Sequence, residues 1–186
     1  MQYPNYTNIF QICLLPNKDI QSSTDLFDLF DNIHCGIMKR FVLNNQSEWE
    51  STMQTLSSEC KSKNIIPILH IDMHGCKSGY GRNSIEFISW DRLIKEITNL
   101  NKACNGQLFL ALNVCYGLEL YNNLIGNDFP ISYRTLGSCE LVNAHQGKRS
   151  FFKMYESYFS KYDMNKAISD FFQVPILRGT QVFKLI

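Results

Sequence analysis

The sequence predicts an α/β sandwich with a mainly parallel sheet, and three observations carry that prediction. Short aliphatic and β-branched runs at positions 65–69 and 108–114 have the composition of strands buried on both faces, as parallel strands covered by helices are. These runs alternate with segments whose apolar residues recur at helical intervals. The 186-residue chain is 45% hydrophobic and 13% aromatic, enough apolar surface to fill a core between sheet and helices without metal or disulfide support.

Taken in order, residues 8–15 form an apolar run closed by Pro16 and residues 37–43 a second strand, with a short helix expected between them at 23–33. Ser47-Glu48-Trp49-Glu50 has the spacing of a capping box, and Trp49, Met53, Leu56 and Cys60 follow on one helical face to about residue 62. The run 65–69 leads straight into His70-Ile71-Asp72-Met73-His74-Gly75. A polar, Gly-containing loop at 76–83 and a short apolar stretch at 85–88 precede a helix from Trp90. Asp91 suits its first turn, and Leu93, Ile94, Ile97 and Leu100 share its apolar face. Residues 108–114 form the next strand, ending at Cys115-Tyr116-Gly117, and 118–125 reads as the helix behind it. A strand at 131–136 and a polar, turn-rich segment at 137–148 follow. Two helices come last, one carrying Phe151, Phe152, Tyr155, Tyr158 and Phe159, the other starting near Asp163 with Ala167, Ile168, Phe171 and Phe172. No repeat, linker or low-complexity tract divides residues 1–186, which read as one domain.

Charge and cysteine usage exclude several function classes. Eighteen basic against 17 acidic residues give a net charge of +1 with no basic block, so counterion release offers no source of affinity for nucleic acid. The N-terminal residues lack a positive region followed by an apolar one, and no run approaches the ~18 apolar residues of a membrane span. A cytoplasmic protein with no membrane partner is the expectation. Seven cysteines at irregular spacing, with no Cys-x-x-Cys pair, argue against both a disulfide framework and a zinc ribbon.

His74 and Cys115 each fall at the predicted C-terminal end of a buried strand, where α/β sheets place their ligands and reactive groups. Such a pair suffices for acyl transfer, since a deprotonated thiol is a good nucleophile and an imidazole can protonate the leaving amine. Gly75 follows the histidine directly and Gly117 lies two residues after the cysteine. A glycine beside the base allows the backbone to approach a substrate closely and aim its amide at a developing oxyanion, with the Cys115 amide as second donor. A rival pattern is His70-x-Asp72-x-His74, whose side chains share one strand face and could hold a catalytic metal with open positions. Cys115 is expected to be the most reactive of the seven thiols, being next to an imidazole and ahead of a helix N-terminus.

The apolar run ending in His74-Gly75 and the apolar run ending in Cys115-Tyr116-Gly117, 41 residues apart, resemble the His-Gly and Cys-x-Gly signatures of caspase-like cysteine peptidases. The element order from about residue 36 to 172 resembles theirs as well, most closely that of bacterial members including the CHAT group, the caspase and tetratricopeptide-repeat-associated domain. The resemblance implies a caspase–hemoglobinase fold and a cysteine endopeptidase working through a thioester acyl-enzyme without cofactor or metal. It makes His74 the general base and acid, Cys115 the nucleophile, and the amides of Gly75 and Cys115 the oxyanion hole. It further implies a protein substrate, by analogy a dedicated partner protein in bacterial defence or cell death. In that fold the segment 132–143, with Ser138 and Glu140, borders the pocket for the residue before the scissile bond. The chain departs from the family at Asn113, where relatives that cut after Arg or Lys carry an acid. The Gln-Ala-Cys-x-Gly motif of animal caspases is replaced by Asn113-Val114-Cys115-Tyr116-Gly117, so no preference for that residue is inherited. Proteins of this fold also serve as non-catalytic interaction modules, which is the alternative of a different class.

Overall fold

The structure is a computed structural model and describes residues 3–15, 28, 37–76, 78–81, 87–124, 128–141, 144–174 and 183–186. The aliphatic runs form the strands of a mostly parallel sheet. β1 (Asn8–Leu14) is buried along its whole length and lies between β2 (Ile37–Val42) and β3 (Pro67–Cys76), parallel to both. β6 (Phe109–Asn113) runs parallel to β3 on its other side, and β7 (Arg134–Ser138) continues the parallel order. The sheet closes with β8 (Phe183–Leu185), antiparallel to β7, giving the order β2-β1-β3-β6-β7-β8. Two short strands, β4 (Gly79–Gly81) and β5 (Phe87–Ser89), form an antiparallel extension on the far end of β3.

Side-chain alternation divides the core into two layers. Phe10, Ile12 and Leu14 of β1, Leu69, Ile71 and Met73 of β3, and Leu110 and Leu112 of β6 pack with α1 (Gln46–Lys63) and α2 (Trp90–Ala103). Ile9, Ile68, Phe109, Ala111 and Leu136 face the other way and pack with α4 (Ala144–Lys161) and α5 (Met164–Gln173). The result is the α/β/α sandwich that the sequence predicts. Between the strand β6 and β7 the chain makes α3 (Glu119–Asn122), a single turn. Among the described residues, no helix is long and apolar enough to cross a membrane.

The helix faces fall where periodicity puts them. Trp49, Met53, Leu56 and Cys60 are the buried stripe of α1, and Leu93, Ile94, Ile97 and Leu100 belong to that of α2. The cap of α1 sits two residues earlier than Ser47: the Asn45 side chain accepts from the amide of Glu48, whose carboxylate reaches back to the amide of Asn44 at 2.8 Å. Asparagine caps as well as serine does, so both starts satisfy the orphan amides and the reciprocal Asn45–Glu48 pair wins. Two expected boundaries move. The segment 137–148 yields strand to Ser138 and helix from Ala144, and the loop expected at 76–83 holds β4. Apart from position 28, the helix expected at 23–33 lies outside the described residues.

Candidate active site

The parallel ladder between β3 and β6 pairs Ile68 with Phe109 and, rung by rung, Asp72 with Asn113, a constant offset of 41 residues. His74 and Cys115 are separated by the same 41 residues, and each lies two positions past the last rung of adjacent strands. At that point β3 leaves β6 and pairs with β4 instead, Gly75 opposite Tyr80. His74 is exposed, and Gly75 and Cys115 are half-buried. The two residues singled out by sequence are therefore neighbours at the C-terminal edge of the sheet.

Gly75 brings the two chain segments into contact. A Cβ built on it would lie 1.7 Å from the Cys115 carbonyl oxygen and 2.8 Å from Val114 Cγ1, so no other residue fits without moving backbone. The sequence suggests a backbone that approaches a substrate; what Gly75 approaches in the structure is the peptide of Cys115.

Tyr116 has φ +55, a left-handed conformation that a tyrosine enters at a cost of about 1 to 3 kcal/mol. Four hydrogen bonds hold it there. The Tyr116 amide donates to the Glu140 carbonyl at 2.9 Å, the Gly117 amide to Val114 at 3.1 Å, and the Leu118 amide to Ser138 at 2.9 Å. The Tyr80 hydroxyl, fully buried, donates to the Gly117 carbonyl. The Tyr80 ring in turn meets Trp90 edge-on at 5.0 Å. This wiring corrects one expectation. The helix after the cysteine is one turn long, and the amides of residues 116–119 bond to backbone carbonyls rather than pointing at the sulfur. A four-residue helix whose first amides are already bonded supplies no helix-terminus field of useful strength at Cys115.

Ser138 and Glu140 lie at the site through their backbones. Ser138 is fully buried, and its hydroxyl accepts from the Glu140 amide at 3.1 Å, fixing a bend whose carbonyls receive the Cys115 turn. The Glu140 side chain is exposed.

Behind the site, on the face toward α4, sits a buried polar group whose partners the sequence does not reveal. The Asp72 carboxylate accepts from Asn113 Nδ2 and Gln11 Nε2, each at 2.7 Å, linking β3 to both neighbouring strands. His70 Nε2 lies 3.2 Å from Asp72 Oδ2, and His70 Nδ1 is 2.8 Å from the Tyr155 hydroxyl of α4. Burial acts to raise the Asp72 pKa, but His70, Gln11 and Asn113 outweigh it and hold the carboxyl below its ordinary value. Burial and the Asp72 charge push the Tyr155 phenol well above its own. His70 and Asp72 are thus buried and engaged. Among the described residues, no group of three or more His, Cys, Asp or Glu is placed to hold a metal ion, which disfavours the His70/Asp72/His74 metal pattern. Alternation in the sequence already puts His70, Asp72 and His74 on one strand face; what it does not give is the register that brings Asn113 and Gln11 onto the Asp72 carboxylate.

No protein-family model matches the chain, and no curated protein matches it significantly.

Proposed function

We propose that the protein is a cysteine endopeptidase of the caspase-like type, acting on protein substrates through His74 and Cys115. The observation that supports the reading most is the shared offset of ladder and motif, by which a histidine and a cysteine each follow the last rung of adjacent parallel strands by two residues, at the edge where parallel sheets bind ligands. Support also comes from Gly75, whose lack of a side chain permits contact between the two segments, and from the strained Tyr116 beside the nucleophile.

The chemistry runs in two stages. His74 accepts the Cys115 thiol proton, and the sulfur attacks the scissile carbonyl carbon to form a C–S bond and a tetrahedral oxyanion, received by the amides of Gly75 and Cys115. Collapse breaks the C–N bond as His74 returns the proton to the leaving amine, giving a thioester. Water, with His74 as base, then attacks the thioester, and the acid product and the thiol are released. An extended substrate lies along the segment that carries Ser138 and Glu140, whose bend is tied to the Cys115 turn. A dedicated partner protein, in defence or cell death, fits this mode of action by analogy with bacterial proteins of the resembling family.

The test compares new protein N-termini in a cell lysate after treatment with wild type, Cys115→Ala and His74→Ala. Wild type generates them, and each single variant and the double variant lose them to the same extent, because residues acting as one unit are not additive. Near-normal cleavage by His74→Ala, or cleavage that survives Cys115→Ala, would sink the reading.

A further inference from the structure

We infer that Asp72 and Asn113 form a positioning clamp for the His74–Cys115 pair, holding shut the last rung of the β3–β6 ladder so that the two reactive side chains stay abreast. The inference rests on the peptidase reading, which it deepens by naming what sets the geometry of the site.

Backbone pairing between β3 and β6 ends at Asp72↔Asn113, and β3 then turns its hydrogen bonds to β4. His74 and Cys115 thus project from strand ends that no further backbone rung joins. Strand ends fray, and a separation of about 1 Å in a catalytic pair costs on the order of 100-fold in rate. At this terminal rung the side chains supply the missing link, Asn113 Nδ2 to Asp72 Oδ1 at 2.7 Å. The other carboxylate oxygen takes Gln11 Nε2 from β1, and His70 connects the group to Tyr155 of α4. The rung is therefore fixed to both neighbouring strands and to the covering helix.

Stability alone is a poor reason for such an arrangement. The inward positions Ile68, Phe109 and Ala111 on these strands are apolar, His70 being the other polar one, and well-packed hydrophobic residues often replace a buried charge pair at no loss. An apolar pair would fill the rung but would not fix its separation, whereas a charge-assisted hydrogen bond has a defined length and direction. The titratable groups facing the carboxylate are His70 on its own strand and Tyr155 on α4.

The clamp has a swap that keeps its geometry. In Asn113→Asp a carboxylate faces Asp72, and the rung opens. In the double variant Asp72→Asn with Asn113→Asp, the new amide donates to the new carboxylate while its carbonyl still accepts from Gln11. The negative charge at position 113 remains, so only the bond is restored.

The readout is the rate of Cys115 alkylation by iodoacetamide across pH 5 to 9, followed by peptide mass mapping in each variant with and without His74→Ala. A substrate is not needed, so the result is independent of whether the natural target is known. The clamp predicts that His74→Ala slows labelling and shifts its pH profile in wild type and in the double variant, but has no effect in Asn113→Asp. Should Asn113→Asp not fold, the double variant must both restore folding and recover the His74-dependent profile. His74 dependence in wild type together with an Asn113→Asp profile like wild type would overturn the clamp alone, as would a folded double variant without His74 dependence. Absence of His74 dependence in wild type would overturn the dyad, and the clamp with it.

Discussion

Glycine 75 is the residue on which the site's geometry turns, because its missing side chain lets the end of β3 touch the peptide of Cys115. Ala at this position would place a methyl group 1.7 Å from a backbone oxygen, a collision that rotamer changes cannot relieve. The strand end must move, and with it His74. Gly75→Ala is expected to lose at least ~100-fold in kcat for peptide cleavage, the scale of a displacement of about 1 Å in a reacting pair. Circular dichroism at room temperature is expected to remain near wild type, since the clash lies at the C-terminal ends of two strands, where Val114 is the one core side chain it meets. Wild-type kcat in Gly75→Ala would mean that the strand end adjusts freely and that the contact does not govern the chemistry. The sequence exposes this residue as a glycine after a histidine, which is enough to suggest close approach. It does not tell what is approached, since that depends on the register of two strands 41 residues apart.

At the scale of elements, the strands and long helices follow from periodicity, and the short pieces do not. β3 and β6 are apolar runs buried on both faces, and α1 and α2 carry the expected stripes. The antiparallel extension of β4 and β5 was hidden because three-residue strands such as Gly79-Tyr80-Gly81 show no measurable alternation, and their pairing is decided by tertiary contact. Yet this hairpin supports the site. Tyr80, opposite Gly75, sends its hydroxyl to the carbonyl of Gly117 in the turn behind Cys115. Burial holds the phenol far above its ordinary pKa, so it stays a donor throughout the working range. Tyr80→Phe keeps the ring against Trp90 and leaves a buried carbonyl without its partner, which costs about 1 to 3 kcal/mol. A lower midpoint in urea with an unchanged slope, together with reduced kcat, is the expected result. Unchanged stability would show that water replaces the hydroxyl at the Gly117 carbonyl.

For the whole molecule, hydrophobic layering was legible from the sequence, and so was a buried His70 and Asp72, whereas the partners of that charge on other elements were not. The two layers arise because odd and even strand positions carry different apolar partners, a pattern any strand displays. Asp72 breaks the pattern, and its partners Gln11, His70, Asn113 and Tyr155 are scattered over four elements that only the fold unites. Its placement has a consequence for acid stability. Despite the upward push of burial, interactions with His70, Gln11 and Asn113 leave the Asp72 carboxyl depressed below the ordinary carboxylate range. A depressed carboxyl binds its proton more weakly in the folded state than in the unfolded one, so its stabilisation is present above about pH 3.9 and is lost as pH falls through the folded value. Glu50, Glu59 and Asp170 are depressed as well, chiefly through hydrogen bonds from Gln46, Lys39 and Lys166 respectively, and act in the same direction. Salt separates the two contributions: lysine and arginine pairs at the surface are screened by salt, while a buried carboxylate is screened much less. Urea unfolding of wild type and Asp72→Asn at intervals from pH 7 to pH 2, in 0.05 and about 0.5 M salt (Debye lengths that bracket the ~10 Å of 0.1 M), reads the difference. The stability gap between the two proteins is expected to be constant near neutrality, to shrink only below about pH 4, and to shrink alike at both salt concentrations. A gap that closes already between pH 7 and pH 5 would assign the linkage to a group other than Asp72, and one that disappears at high salt would place the carboxylate's partners at the surface.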